Sequence, residues 1–216
     1  MKKLFTIWFL FPLCLMAKPE LFKTGGRPRM QIGGQVGANI NYFVYKNGMQ
    51  KDESAGYEGG IFFRISRQMA FVQFEINFLR TSVNFKNGIF TTLLNNTIPF
   101  DVLKMKYHTV GIPLVFGAYA VQKPIFKLRF YTGIETTLIA RTKVVLKQND
   151  TYTFKLTRPE KRQIFRPAQF NYLLATGVDI AMFTIDFKYS VGMRSFFKEE
   201  YRTQTHLFQI TVGAIF

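Results

Sequence analysis

The chain has 216 residues, a formal charge of +16 and 48% hydrophobic residues. That length suits a single domain. Cys14 is the one cysteine, which excludes an internal disulfide and a Cys-ligated metal centre, and no stretch beyond residue 17 is apolar for the roughly 18 residues that a membrane-spanning helix needs.

The opening segment MKKLFTIWFLFPLCLMA places Lys2 and Lys3 before an uncharged apolar run over residues 4–16, followed by the small Ala17. This is the layout of a secretory signal peptide, and the run falls short of the ~20 residues of a spanning helix. Residues 1–17 are therefore expected to be removed by a cut after Ala17, taking Cys14 and Trp8 with them and lowering the charge by two to about +14. Leu13, directly before Cys14, is not the small residue that a lipoprotein cut requires. Residues 18–29, KPELFKTGGRPR, are basic and broken by Pro and Gly, and read as a periplasmic lead-in.

From residue 30 onward the apolar period is two almost throughout, the strand period. In MQIGGQVGANINYF, Met30, Ile32, Val36 and Ile40 share one face, and Gln31, Gln35, Asn39 and Asn41 the other. YEGGIFFRIS sets Ile61, Phe63 and Ile65 against Arg64 and Ser66. AFVQFEINFLRTS sets Val72, Phe74, Ile76 and Phe78 against Gln73, Glu75 and Asn77. YHTVGIPLVFGAY carries Val110, Ile112, Leu114 and Phe116 on its apolar face, and its Gly111 and Pro113 predict a bulge. KLRFYTGIETTLIAR places Arg129, Glu135 and Arg141 on its polar face. QFNYLLATGVDIA places Asp179 there, and FTIDFKYSVGM places Asp186 and Lys188. The closing HLFQITVGAIF aligns Phe208, Ile210, Val212, Ala214 and Phe216 on a wholly apolar face.

These are eight strands. Short turns near RQM, VQKP and AM alternate with long polar connections over residues 44–56, 82–104, 142–167 and 194–204. An even strand count, strands of about ten residues and this alternation of turn lengths are the pattern of a transmembrane β-barrel. Seven charges of the same parity decide which face meets lipid: Arg64, Glu75, Arg129, Glu135, Asp179, Asp186 and Lys188. A Lys or Arg facing lipid at mid-depth costs roughly 2–4 kcal/mol, so this face points inward. The expected fold is all-β: an eight-stranded antiparallel up-and-down transmembrane barrel over residues 30–216, with periplasmic termini and extracellular long loops. A secreted soluble carrier of lipocalin type, apolar inside and polar outside, is the alternative.

The ordered strands resemble the outer-membrane β-barrel family of Bacteroidota, the PorT-like and OmpX-like eight-stranded proteins. GGQVGANIN, FVQFEINF, YHTVGIPLVFGAY with RFYTGIETTLI, FNYLLATGVDI, FTIDFKYSVGM and FQITVGAIF carry the resemblance, which spans residues 30–216. Thr109 and Gly111 stand where the family tends to Leu-Glu, so an acidic residue of that strand is missing. The resemblance implies a surface-exposed barrel of structural or interaction type, and one branch of the family serves type IX secretion and gliding. It also implies that the terminal aromatic strand, with Phe208, Ile210, Val212 and Phe216, is read by the barrel assembly machinery.

Three candidate sites follow. Arg64, Glu75, Arg129, Glu135, Arg141, Asp179, Asp186 and Lys188 form an expected lumen charge network, because buried charges must pair, and an eight-stranded lumen has room only for side chains. The connection over residues 141–166 holds Lys143, Lys147, Lys155, Arg158, Lys161, Arg162 and Arg166 with interleaved aromatics. It suits outer-membrane lipids, lipopolysaccharide phosphates above all, or an acidic envelope partner, and not nucleic acid, which an exported barrel does not meet. A lipid A-modifying barrel would need a Ser, a His and an acid together. His108 and His206 lie at outer strand ends while Ser190 shares the lumen parity, so no catalysis, metal or cofactor is called for.

Overall fold

The computed structural model describes residues 28–45, 54–91, 97–148, 152–155, 168–193 and 203–216. The expected signal peptide and most of the lead-in lie outside the described residues. The elements are β1 (Arg29–Tyr45), β2 (Ser54–Arg67), β3 (Ala70–Thr91), β4 (Thr97–Gln122), β5 (Phe126–Gln148), β6 (Tyr152–Lys155), β7 (Ala168–Ile180), β8 (Phe183–Gly192) and β9 (Thr203–Ile215). Eight of them form the wall. Neighbours pair antiparallel in chain order, β5 pairs with β7, and β9 returns to β1 from Gly33↔Ile215 to Tyr45↔Thr203, closing the barrel. Closure leaves the eight-stranded wall itself without a sheet edge. The ninth strand, β6, is four residues long and lies on the far end of β5, from Val145↔Lys155 to Gln148↔Tyr152.

The short connections are tight. Arg67 pairs with Ala70 and Ile180 with Phe183, leaving two-residue turns that begin on Gln68 and Ala181, both in the left-handed region at φ 52° and 53°. The long connections are shorter than the polar composition suggests. β3 and β4 stay paired out to Thr91↔Thr97, so most of the stretch at 82–104 is a hairpin arm rather than a loop. Ladder hydrogen bonds need only backbone, so the two strands stay paired beyond the closed wall.

The bulge expected at Gly111 and Pro113 is not where the irregularity falls. Both residues keep the β4–β5 register, opposite Thr137 and Glu135. The shifts occur between His108 and Thr109, which leaves Ala140 unpaired in β5, and between Tyr119 and Val121, which leaves Ala120 unpaired in β4. Each inserted residue reverses which side chains face inward beyond it.

The burial pattern is inverted relative to a soluble barrel. Val36 is 68% exposed, Phe78 64% and Ile61 60%, whereas Arg64, Gln73, Glu75 and Arg129 are fully buried. A continuous exposed apolar wall around a charged interior is the arrangement for lipid. It rules against the soluble carrier, whose polar face would be outside.

Candidate functional site

The lumen is built from the inward residues of every wall strand. Among the described residues three cations, Arg64, Arg129 and Lys188, and five carboxylates, Glu58, Glu75, Glu135, Asp179 and Asp186, are buried. Near the short-turn end, Arg64 Nη1 donates to Asp179 Oδ2 at 3.0 Å, and Arg129 Nη2 lies 2.9 Å from Asp179 Oδ1 and 3.0 Å from Asp186 Oδ1. The Tyr131 hydroxyl donates to Asp186 Oδ1 at 2.7 Å. Both guanidiniums also lie over the Phe71 ring, at 5.3 Å and 5.9 Å, which shelters them within the apolar cluster of Phe71, Val115, Tyr119, Tyr131, Leu173 and Ala175.

Gln73 links this cluster to the next. It accepts from Arg64 Nε at 2.5 Å and donates to Glu75 Oε1 at 2.6 Å. Glu75 Oε2 accepts from Lys188 Nζ at 2.5 Å and from Gln35 and Asn77, both at 2.8 Å. One chain of hydrogen bonds and ion pairs therefore runs from Lys188 through Glu75, Gln73, Arg64, Asp179 and Arg129 to Asp186, the Asp179–Arg129 link being an ion pair alone. A carboxylate this deep is tolerable because its lone pairs are filled by charged and amide donors.

Towards the long-loop end the donors become neutral. Glu135 Oε2 accepts from Ser190 at 3.1 Å and Asn171 at 3.3 Å, and Glu58 Oε2 accepts from Gln209 at 2.6 Å. Asn41 donates to the Tyr107 hydroxyl above them. A cavity of about 30 Å³ there, lined by residues including Thr81, Tyr107, Asn171 and Ser190, has room for about one water. At the opposite mouth a cavity of about 230 Å³ lined by Arg29, Gln31 and Lys127 ends on Asp179.

Glycines make these cross-lumen bonds possible. Arg129, Gly177 and Asp186 stand in one row across β5, β7 and β8, and Gln35, Gly60 and Asn77 in one row across β1, β2 and β3. In each row the outer two side chains meet over the glycine: a Cβ on Gly177 would lie 2.1 Å from Asp186 Oδ1, and one on Gly60 2.2 Å from Asn77 Oδ1. A third glycine answers the missing acid of β4. A Cβ on Gly111 would lie 2.6 Å from Glu135 Oε1, so the carboxylate of the neighbouring strand occupies that space.

The structure brings seven of the eight sequence-predicted lumen charges into the interior and excludes Arg141. The extra residue Ala140 turns Thr142 inward and leaves Arg141 exposed on the outer wall. Glu58 is a lumen acid that the sequence reading omitted. It lies within YEGGIFFRIS and shares the parity of Gly60 and Arg64, so carrying that strand's polar face back to its start finds it. Of the basic connection, Lys143 is exposed, and Lys147 and Lys155 sit on β5 and β6 with side chains outside the described residues. Arg158, Lys161, Arg162 and Arg166 lie wholly outside the described residues.

On the outer wall Tyr189 packs on Phe208, ring centroids 4.6 Å apart, and bonds His206 Nδ1 at 2.6 Å. Ser190 and the two histidines thus lie on opposite faces of the wall. Ile210 and Val212 are exposed on the same outer face of β9, and Phe216, 82% exposed, anchors its own N–H on Ile32 O at 2.7 Å.

In sequence, no curated protein matches this chain. In shape it is similar to Ail, the attachment invasion locus protein of Yersinia pestis, at 12% identity and a TM-score of 0.46, over 87% of this chain and 99% of that one. Neisserial surface protein A is similar at 12% identity and a TM-score of 0.48, over 85% and 96%. The N-terminal barrel of Pseudomonas aeruginosa OprF is similar at 7% identity and a TM-score of 0.34, over 87% and 100%. Residues 19–198 match the outer membrane protein beta-barrel domain, and the chain, with its lipid-facing apolar wall and ion-paired lumen, belongs to that family.

Proposed function

We propose that this protein is a sealed interaction barrel of the bacterial outer membrane, with termini in the periplasm, long loops outside and no catalytic role. The observation that supports it is the lumen: between the cavities at its two ends it is filled by ion-paired and hydrogen-bonded side chains, so the surfaces left for function are the loops and the outer wall. The role that fits is an accessory component of an envelope assembly, of which type IX secretion is the example the strand resemblance suggests.

The basic connection over residues 141–166 is the proposed contact to lipopolysaccharide phosphates. Replacing Lys155, Arg158, Lys161 and Arg162 by Gln is expected to weaken binding of the detergent-purified barrel to lipopolysaccharide at least tenfold at low salt, where unscreened charges act most strongly. Unchanged binding would remove the loop from this role.

The last strand is the proposed signal to the barrel assembly machinery. Deleting Phe216 removes an exposed aromatic and a backbone bond to Ile32 at the seam where β9 closes on β1. Membrane-inserted protein is expected to fall more than for deletion of any single loop residue. Normal surface levels of the truncated chain, measured by surface labelling, would contradict it.

A further inference from the structure

The outer wall changes character at one height on three adjacent strands. On β3 the exposed Phe78 is followed outward by Arg80. On β4, Val110 is followed by His108 and Lys106, and on β5 the exposed Leu138 is followed, past the bulge, by Arg141 and Lys143. Register sets them side by side: Arg80 opposite His108, His108 opposite Arg141, and Lys106 opposite Lys143. Arg80, Lys106, Arg141 and Lys143 are exposed and His108 is half-buried.

Two features show that this is more than a scatter of surface charge. Like charges placed directly opposite one another on one sheet face, as Lys106 and Lys143 are, destabilise it, an effect that an anion between them offsets, and the ion pairs among the described residues do not include any of the five. Arg80 is also positioned: its Nη1 donates to the Tyr57 hydroxyl at 2.8 Å, and its guanidinium lies 5.6 Å from that ring. The bulge at Ala140 contributes directly, since it is what brings Arg141 out of the lumen to join the row.

Cations just beyond an apolar wall stand at headgroup height, with acyl chains against the residues below them and phosphate against the row itself. We propose that Arg80, Lys106, His108, Arg141 and Lys143 bind the phosphate groups of an anionic glycolipid of the lipid A class in the adjoining leaflet. This rests on the reading above that the barrel spans the outer membrane with its long loops outside. It assigns the headgroup contact to the wall, at positions independent of the loop residues 155–162.

The test uses the full mature barrel in neutral detergent, after its insertion into vesicles and its heat-dependent gel shift have been verified. Failure at that first step would remove the spanning-barrel reading itself, separately from this site. Affinities are then measured for bisphosphorylated lipid A and for the same lipid stripped of phosphate. The R80Q/K106Q/R141Q variant is expected to lose about 100-fold in affinity for the phosphorylated lipid, at roughly fivefold per charge, with no change for the stripped lipid. Excess inorganic phosphate is expected not to displace the lipid.

Equal affinity of variant and parent for phosphorylated lipid A would overturn the proposal. So would displacement by inorganic phosphate, which would mark a free-anion site, or a loss confined to the loop variant at residues 155–162. Should the triple variant not fold, Arg141→Gln alone, an exposed position, is expected to show about a fivefold loss, and no loss would overturn the site.

Discussion

Replacing Lys188 by methionine is expected to destabilise the barrel by about 3–5 kcal/mol, the usual consequence of removing one partner of a buried ion pair. Lys188 and Glu75 have fully buried side chains 2.5 Å apart, at the top of the bonded chain through the lumen. Lys188 also faces Asp186, Glu58 and Glu135 electrostatically. Methionine conserves the stem volume and removes the charge, so five carboxylates would share a lumen with two arginines that are already engaged with Asp179 and Asp186. The amide donors of Gln35, Gln73 and Asn77 remain on Glu75, so its polarity is still partly met. Urea unfolding from lipid vesicles measures the loss. The double variant K188M/E75Q is expected to regain part of it, because an amide keeps the acceptor without the charge. A single variant as stable as the parent would show that the ion pair is not what holds the upper lumen together.

Gly177→Val is expected to be at least as damaging, about 4 kcal/mol or more. The new Cβ would sit 2.1 Å from Asp186 Oδ1 and 2.7 Å from Arg129 Nη2, between two side chains whose bond crosses the glycine. β7 cannot retreat, because it is laddered to β5 and β8 on both sides. Relief has to come from separating Arg129 and Asp186, which combines an overpacking penalty of roughly 1–3 kcal/mol with the loss of a buried pair. The control is Gly34→Ala on the lipid face, where the nearest atom to a new Cβ is 4.0 Å away and no effect is expected. The gel-shifted folded fraction after refolding reads both variants. Equal yields for the two would contradict the glycine's role.

The parity of the strands, and with it the identity of the lumen, was legible from the sequence because strand alternation is local. Arg64, Glu75 and Lys188 each differ from their chain neighbours in the way an inward residue must, whatever pairs with what. The wall count, the closing role of the last strand and the direction of the apolar face follow from the same period and from the cost of charge in lipid. The tertiary structure alone decided what depends on register between strands. That Gly177 lies between Arg129 and Asp186, or that Glu135 occupies the space beside Gly111, follows from which residues stand opposite one another across three strands. Arg141 shows the limit most clearly. Its parity in the sequence is inward, but one inserted alanine reverses it, and nothing in ETTLIARTK marks where the insertion falls. A bulge is placed by the fit of two neighbouring ladders around a closed barrel, a constraint carried by the whole wall rather than by any one strand.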